Sequence, residues 1–154
     1  MQRLVVIADD FGASPAVNAA VVQAHRSGIL TAASLMVNEA AFDEAVRFAL
    51  ATSTLAVGLH LALSLSRATL PASRIPALVN AEGRFPASSR PAGLRYQFSR
   101  RARVELEGEI RAQLDRFRAT GRSNRTLPAP LETASRRRSS EKGADVVLYL
   151  VRLR

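Results

Sequence analysis

Short apolar runs that close on polar residues punctuate the first third of the chain. Leu4 to Ala8 ends at Asp9 and Asp10, Ile29 to Val37 ends at Asn38, and Leu55 to Leu63 carries His60 within it. Continuous apolar runs bounded by turn formers suit strands buried on both faces. Between the runs the period changes. Val17, Ala20, Val21 and Ala24 recur at intervals of three and four, which predicts a helix over 15–27 with Ser14 as N-cap, Pro15 in the first helical position and Gly28 after its last turn. Ala41, Ala45, Phe48 and Ala49 predict a second helix over 40–51. Strand and helix alternating with short connections predict parallel strands near 3–9, 30–37 and 55–62 joined by right-handed crossovers, and hence an α/β fold.

Beyond residue 63 the pattern changes twice. Pro71, Pro76, Pro86 and Pro91 interrupt every candidate helix between 64 and 99, and Gly83 and Gly93 add turns, so this stretch reads as a long loop or lid. Arg101 to Thr120 returns to strong helix formers, with Val104, Leu106, Ile110, Leu114 and Phe117 as the expected apolar face and Gly121 as the stop. After Gly121 the order dissolves into Arg, Ser and Pro, with Arg136-Arg-Arg-Ser-Ser and one last apolar run from Val146 to Val151. That tail, 122–154, has no evident place in the preceding architecture and is expected to be poorly ordered.

Composition narrows the chemistry. With 154 residues and 47% hydrophobic side chains the chain is long enough to bury a core as one globular domain. The absence of cysteine excludes disulfides and thiolate ligands, so any metal must be held by Asp, Glu, His or Asn. No apolar run reaches the roughly 20 residues of a membrane-spanning helix, and a cytoplasmic protein is the expectation. The net charge of +9 raises nucleic acid as a partner. However, residues 1–121 hold 14 basic and 10 acidic side chains while 122–154 hold 8 and 3, so the excess is concentrated in the tail. That tail has a single aromatic, Tyr149, and no helix of clustered Lys and Arg, so no specific nucleic-acid contact is expected.

In parallel α/β folds, ligand sites form at the carboxyl ends of the strands. Asp9, Asp10, Asn38 and His60 all stand at or near such ends, so three strands offer polar groups to one face. Simpler readings compete. An Asp-Asp pair can cap a helix in a solvated turn, Asn38 before Glu39 can be an N-cap, and His25 beside Gln23 and Arg26 is expected at the surface. His60 is harder to dismiss, because an imidazole inside Val57-Gly-Leu-His-Leu-Ala-Leu costs about 1–3 kcal/mol to bury without partners.

Several segments together resemble the YdjC-like carbohydrate deacetylases. They are Val5-Val-Ile-Ala-Asp-Asp-Phe-Gly-Ala-Ser-Pro15, Ala16-Val-Asn18, Gly28-Ile-Leu-Thr-Ala-Ala-Ser-Leu-Met-Val-Asn38 and Val57-Gly-Leu-His-Leu61. Ile75-Pro-Ala-Leu-Val, Asn80-Ala-Glu-Gly-Arg-Phe85 and Glu109 to Gly121 are similar to the branch associated with hopanoid biosynthesis. The match runs over about residues 3–121. It implies a distorted (β/α) barrel that removes acetyl from an N-acetylated sugar or glycolipid, such as an N-acetylglucosaminyl hopanoid, with one divalent metal: magnesium first, zinc, manganese or cobalt as alternatives. By carry-over, Asp10 and His60 match metal ligands, Asp9 the general base, and Asn38 a substrate-binding position.

The resemblance stops after Gly121, where the family continues into a histidine-rich strand. No histidine follows His60 in this chain. The abrupt change is that of a frameshifted or truncated product; a natural variant with a basic extension is the alternative. The expectation is an incomplete barrel with an exposed strand edge, prone to self-association into a homo-oligomer, and a weakly held metal. Glu132, Glu141 and Asp145 are the only acids left to complete the set. Three functions compete: an impaired deacetylase, a sugar- or metal-binding remnant without turnover, and a basic nucleic-acid-binding module.

Overall fold

The computed structural model describes residues 2–87, 99–121, 136–138 and 146–152. They divide into two compact units, one made of 1–36, 40–60 and 122–154, the other of 37–39 and 61–121.

The first unit is built on a sheet with strand order β3-β2-β1-β5-β4. Strand β1 spans Gln2–Phe11, β2 Ala32–Leu35 and β3 Ala56–Leu59, and the three are parallel neighbours, as the apolar runs predict. Val6 and Ala8 are buried in β1, consistent with a strand flanked on both edges. Helix α1 covers Pro15–Ser27, the span its end signals predict. Ser14 Oγ accepts from the Val17 amide at 3.3 Å, and Pro15 takes the first turn where no amide is needed. Gly28 ends α1 in extended backbone, and a Cβ there would sit 2.7 Å from the Ala24 carbonyl oxygen, so close packing demands the glycine. Helix α2 spans Phe42–Ala51, starting later than expected. It has no side-chain cap, and Asp43 and Glu44 in its first turn favour the helix dipole. Phe11, Val21, Leu35, Ala45, Ala49 and Leu55 are almost fully buried in this unit.

The tail corrects an expectation. Arg136–Arg138 forms β4 and Val146–Arg152 forms β5, and β5 runs antiparallel along β1 from Gln2↔Arg152 to Ala8↔Val146. The edge of β1 that faces away from β2 is therefore covered, because the Val146 to Val151 run satisfies the β1 backbone groups that no parallel strand reaches. The described sheet is open, with β3 and β4 at its edges. Residues 88–98 of the expected lid, and Glu132, Glu141 and Asp145, lie outside the described residues.

In the second unit, helix α3 spans Arg100–Ala119, capped by Ser99 Oγ on the Ala102 amide at 3.2 Å. The stretch before it is more structured than a plain loop. It has a 3-10 turn at Ala72–Arg74, an antiparallel bridge between Arg67 and Arg84, and a small core of Ile75, Leu78, Phe85 and Ala102 with Leu70 and Leu106 against it. The buried side of α3 includes Phe117 and half-buries Leu106, Ile110 and Leu114 as expected, but it departs from the expectation at one end and in its polar members. Val104 is 65% exposed, whereas Glu109 and Gln113 are fully buried. Glu109 accepts from the Thr69 and Leu70 amides at 2.8 and 2.9 Å, and Gln113 bonds both the amide and the carbonyl of Ala62 at 3.1 and 2.9 Å. Among the described residues no helix is long and apolar enough to cross a membrane.

Candidate active site

At the carboxyl ends of β1, β2 and β3 the first unit gathers four polar side chains. Asp9 and Asp10 come from β1, Ser34 from β2, and His60 from the position after β3, where its amide donates to the Leu35 carbonyl at 2.8 Å. Adjacent residues in a regular strand point to opposite faces. Here the register slips between Ala8 and Phe11, which pair with Ala33 and Leu35, so β1 carries one extra residue. Asp10 occupies the left-handed region with φ 62°, a conformation Asp tolerates better than most residues. A bulge of this kind re-aims side chains, and it lets consecutive carboxylates serve one site.

The contacts are close. Ser34 Oγ donates to Asp9 Oδ1 at 2.7 Å and lies 3.1 Å from His60 Nδ1. The same nitrogen is 3.5 Å from Asp10 Oδ1 and 3.4 Å from the Asp10 amide. The His60 and Asp10 side chains keep 28% and 44% of their exposure, so the cluster is open to a ligand from solvent.

The turn that follows is fixed from behind. Gly12 has φ 98°, and a Cβ there would stand 2.8 Å from the Met36 carbonyl oxygen, so only glycine fits. Its amide donates to Asn18 Oδ1 at 2.8 Å. Asn18 Nδ2 in turn donates to the Ala41 carbonyl at 3.0 Å and the Glu44 carboxylate at 2.8 Å, all with Asn18 fully buried.

Of the residues singled out in the sequence, Asp9, Asp10 and His60 come together. Asn38 belongs to the second unit and is not the cap of α2, a place taken by Ala41. It is 6% exposed; its amide donates to the Arg67 carbonyl, and its Oδ1 has no partner among the described residues. His25 is more than a surface residue, since its ring bonds the Leu30 carbonyl at 2.7 Å and Thr54 Oγ1 at 2.8 Å. Ser34 and Asn18 escaped notice as site residues.

An oxygen and an imidazole nitrogen 3.5 Å apart, both partly exposed, have the donor chemistry a divalent cation takes. No group of three or more His, Asp or Glu suited to a metal exists among the described residues. The fit is therefore to a pair of protein ligands.

Comparison with known proteins bears on the same residues. A family model described as YdjC-like protein matches residues 3–124. A carbohydrate deacetylase of Brevibacillus brevis is 44% identical over 120 residues, covering 77% of this chain and 45% of that protein. A chitooligosaccharide deacetylase of Klebsiella pneumoniae is 40% identical over 86 residues, covering 55% of this chain and 32% of that protein. A crystal structure of an Enterococcus faecalis protein provisionally assigned to cellobiose-phosphate cleavage superposes with a TM-score of 0.64 at 32% identity, covering 75% of this chain and 43% of the other. The chain thus spans less than half the length of these relatives.

Proposed function

Because the chain belongs to the YdjC-like family, we propose that its site is that of a carbohydrate deacetylase, hydrolysing the amide of an N-acetylated sugar. The observation that carries the reading is the meeting of Asp9 and Asp10 of β1 with His60 after β3, bridged by Ser34 of β2, at the carboxyl ends of three parallel strands. On this reading the three-stranded parallel sheet corresponds to the first part of a (β/α) barrel, and residues 1–121 to the part of the fold that carries the site. Chitooligosaccharides and an N-acetylglucosaminyl hopanoid both belong to the proposed substrate class.

In the proposed reaction water adds to the acetyl carbonyl carbon, the C–N bond breaks, and acetate and a free amine leave. Asp9 takes the proton from the attacking water and returns it to the departing nitrogen, which is general base followed by general acid work at one carboxylate. Its Oδ1 is engaged by Ser34, so the other oxygen is the one that exchanges the proton. Asp10 and His60 would hold a divalent metal, magnesium first with zinc, manganese and cobalt as alternatives. When bound, that ion would make water more acidic and polarise the carbonyl.

Catalytic metal sites typically use three protein ligands. With the two that the described residues supply, low metal affinity and slow turnover are expected. The test is acetate release from a chitooligosaccharide with added magnesium, manganese, zinc or cobalt, for this chain and for Asp9→Asn, Asp10→Ala and His60→Ala. The expected outcome is slow, metal-dependent release that all three substitutions abolish. Release unchanged in the three variants would overturn the site assignment.

A further inference from the structure

We propose that Asn18 is a positioning residue of this site: by holding the Phe11–Gly12 peptide it preserves the β1 bulge and keeps the Asp10 carboxylate on the side where His60 stands. The proposal rests on the deacetylase reading only for what Asp10 then serves. Residues Asp10 to Ala13 form a four-residue turn, closed by the Ala13 amide on the Asp10 carbonyl at 2.9 Å. With Gly12 at φ 98° in the third position, it matches a type II turn. Type I and type II turns differ by a flip of the central peptide, here Phe11–Gly12.

That peptide is gripped at both ends. Its N–H, on Gly12, donates to Asn18 Oδ1 at 2.8 Å, and its carbonyl, on Phe11, accepts from the Met36 amide at 2.7 Å. A flip breaks both bonds. The Met36 bond lies beside the Phe11↔Leu35 pair, which bounds the bulge after Asp10 as Ala8↔Ala33 bounds it before. Without that second boundary nothing imposes the bulge. The left-handed backbone of Asp10 costs a non-glycine residue about 1–3 kcal/mol and persists only where its surroundings impose it. Relaxed into extended strand, Asp10 would point to the face opposite Asp9, and its 3.5 Å approach to His60 would be lost.

Asparagine suits the place by its inventory of one acceptor and two donor hydrogens on one planar group. Oδ1 meets an N–H that can only donate, while Nδ2 meets the Ala41 carbonyl and the Glu44 carboxylate, which accept. The Nδ2 bonds tie Asn18 to the start of α2, and Asn18 itself is fully buried in α1. The grip on Gly12 is thus anchored in two helices rather than in the turn it controls.

The test reads the Asp10 backbone by NMR, without substrate or metal. A left-handed residue gives a strong NOE between its own amide and α protons, and an extended residue a weak one. The parent chain is expected to show the strong NOE at Asp10 and a Gly12 amide protected from deuterium exchange. Asn18→Ala is expected to weaken the NOE and speed the exchange. Asn18→Asp combined with Glu44→Gln keeps an acceptor for Gly12 and a reversed bond to α2, and is expected to recover both signals. Glu109→Ala removes buried hydrogen bonds in the other unit and is expected to leave the Asp10 NOE strong. A Gly12 amide that exchanges in the parent chain as fast as an unprotected one would overturn the proposal, and that measurement needs no variant to fold. A strong Asp10 NOE in folded Asn18→Ala, or a loss shared by Glu109→Ala, would overturn it as well. Acetate release is scored separately: its absence beside the expected signals counts against the deacetylase reading alone, whereas release beside an unmoved Asp10 NOE in Asn18→Ala counts against Asn18 alone.

Discussion

Three segments meet at one buried side chain, Asn18, which accepts from Gly12 and donates to Ala41 and Glu44. Removing it strands the Gly12 amide, while the Ala41 carbonyl keeps its bond from the Ala45 amide, and leaving a buried polar group without a partner costs about 1–3 kcal/mol. Asn18→Ala is expected to lower unfolding free energy by about 2 kcal/mol in urea titration followed by circular dichroism. Asn18→Asp keeps the shape and the acceptor for Gly12, but sets oxygen against the Ala41 carbonyl and the Glu44 carboxylate, so it is expected to lose at least as much. Asp9, Asp10 and His60 were legible in the sequence because each is a polar residue where an apolar run ends or should have stayed apolar. Ser34 and Asn18 were not. A serine in an apolar strand and an asparagine on a helix are ordinary neighbours of the residues they serve, and only the folded distances single them out.

Helix α1 and helix α3 show why some elements read well and others do not. The cap, proline and glycine of α1 are local signals, and its observed bounds agree with them. The buried side of α3 is only partly legible, with Phe117 buried as expected, because Glu109 and Gln113 count as polar in any periodicity, yet the backbone amides of Thr69 and Leu70 and both backbone groups of Ala62 make them interior residues. Glu109→Ala would leave two backbone amides unsatisfied and is expected to cost on the order of 3 kcal/mol. Val104, expected in the apolar face, is 65% exposed. Val104→Ser is expected to stay within about 0.5 kcal/mol of the parent chain. Paired urea midpoints decide the matter: equal losses for the two variants would contradict the buried polar side of α3.

At the scale of the molecule, the consequential arrangement is β1 between a parallel neighbour and an antiparallel one. Proline cannot donate to a ladder and is poorly tolerated inside a sheet. Leu148→Pro, at the position paired with Val6, is therefore expected to uncover the β1 edge and shift the chain toward larger species in size-exclusion chromatography. An unchanged elution profile would show that β5 does not protect that edge. The α/β class and the three parallel strands were legible from the apolar runs. The partnership of β1 with β5 was not, because residues so far apart in sequence leave no local trace of their pairing. The same separation gives the two sides of β1 different histories. Ile7 meets Ala32 across 25 residues but Val147 across 140, and closing the longer loop costs about 1.5 kcal/mol more in chain entropy. On the ribosome, β1 and β2 can therefore pair early, while the other side of β1 waits until Val146–Arg152 has emerged. For that interval the strand carrying both aspartates is half sealed, and a nascent chain is at its most vulnerable to a foreign strand at the very element that carries half of the candidate site.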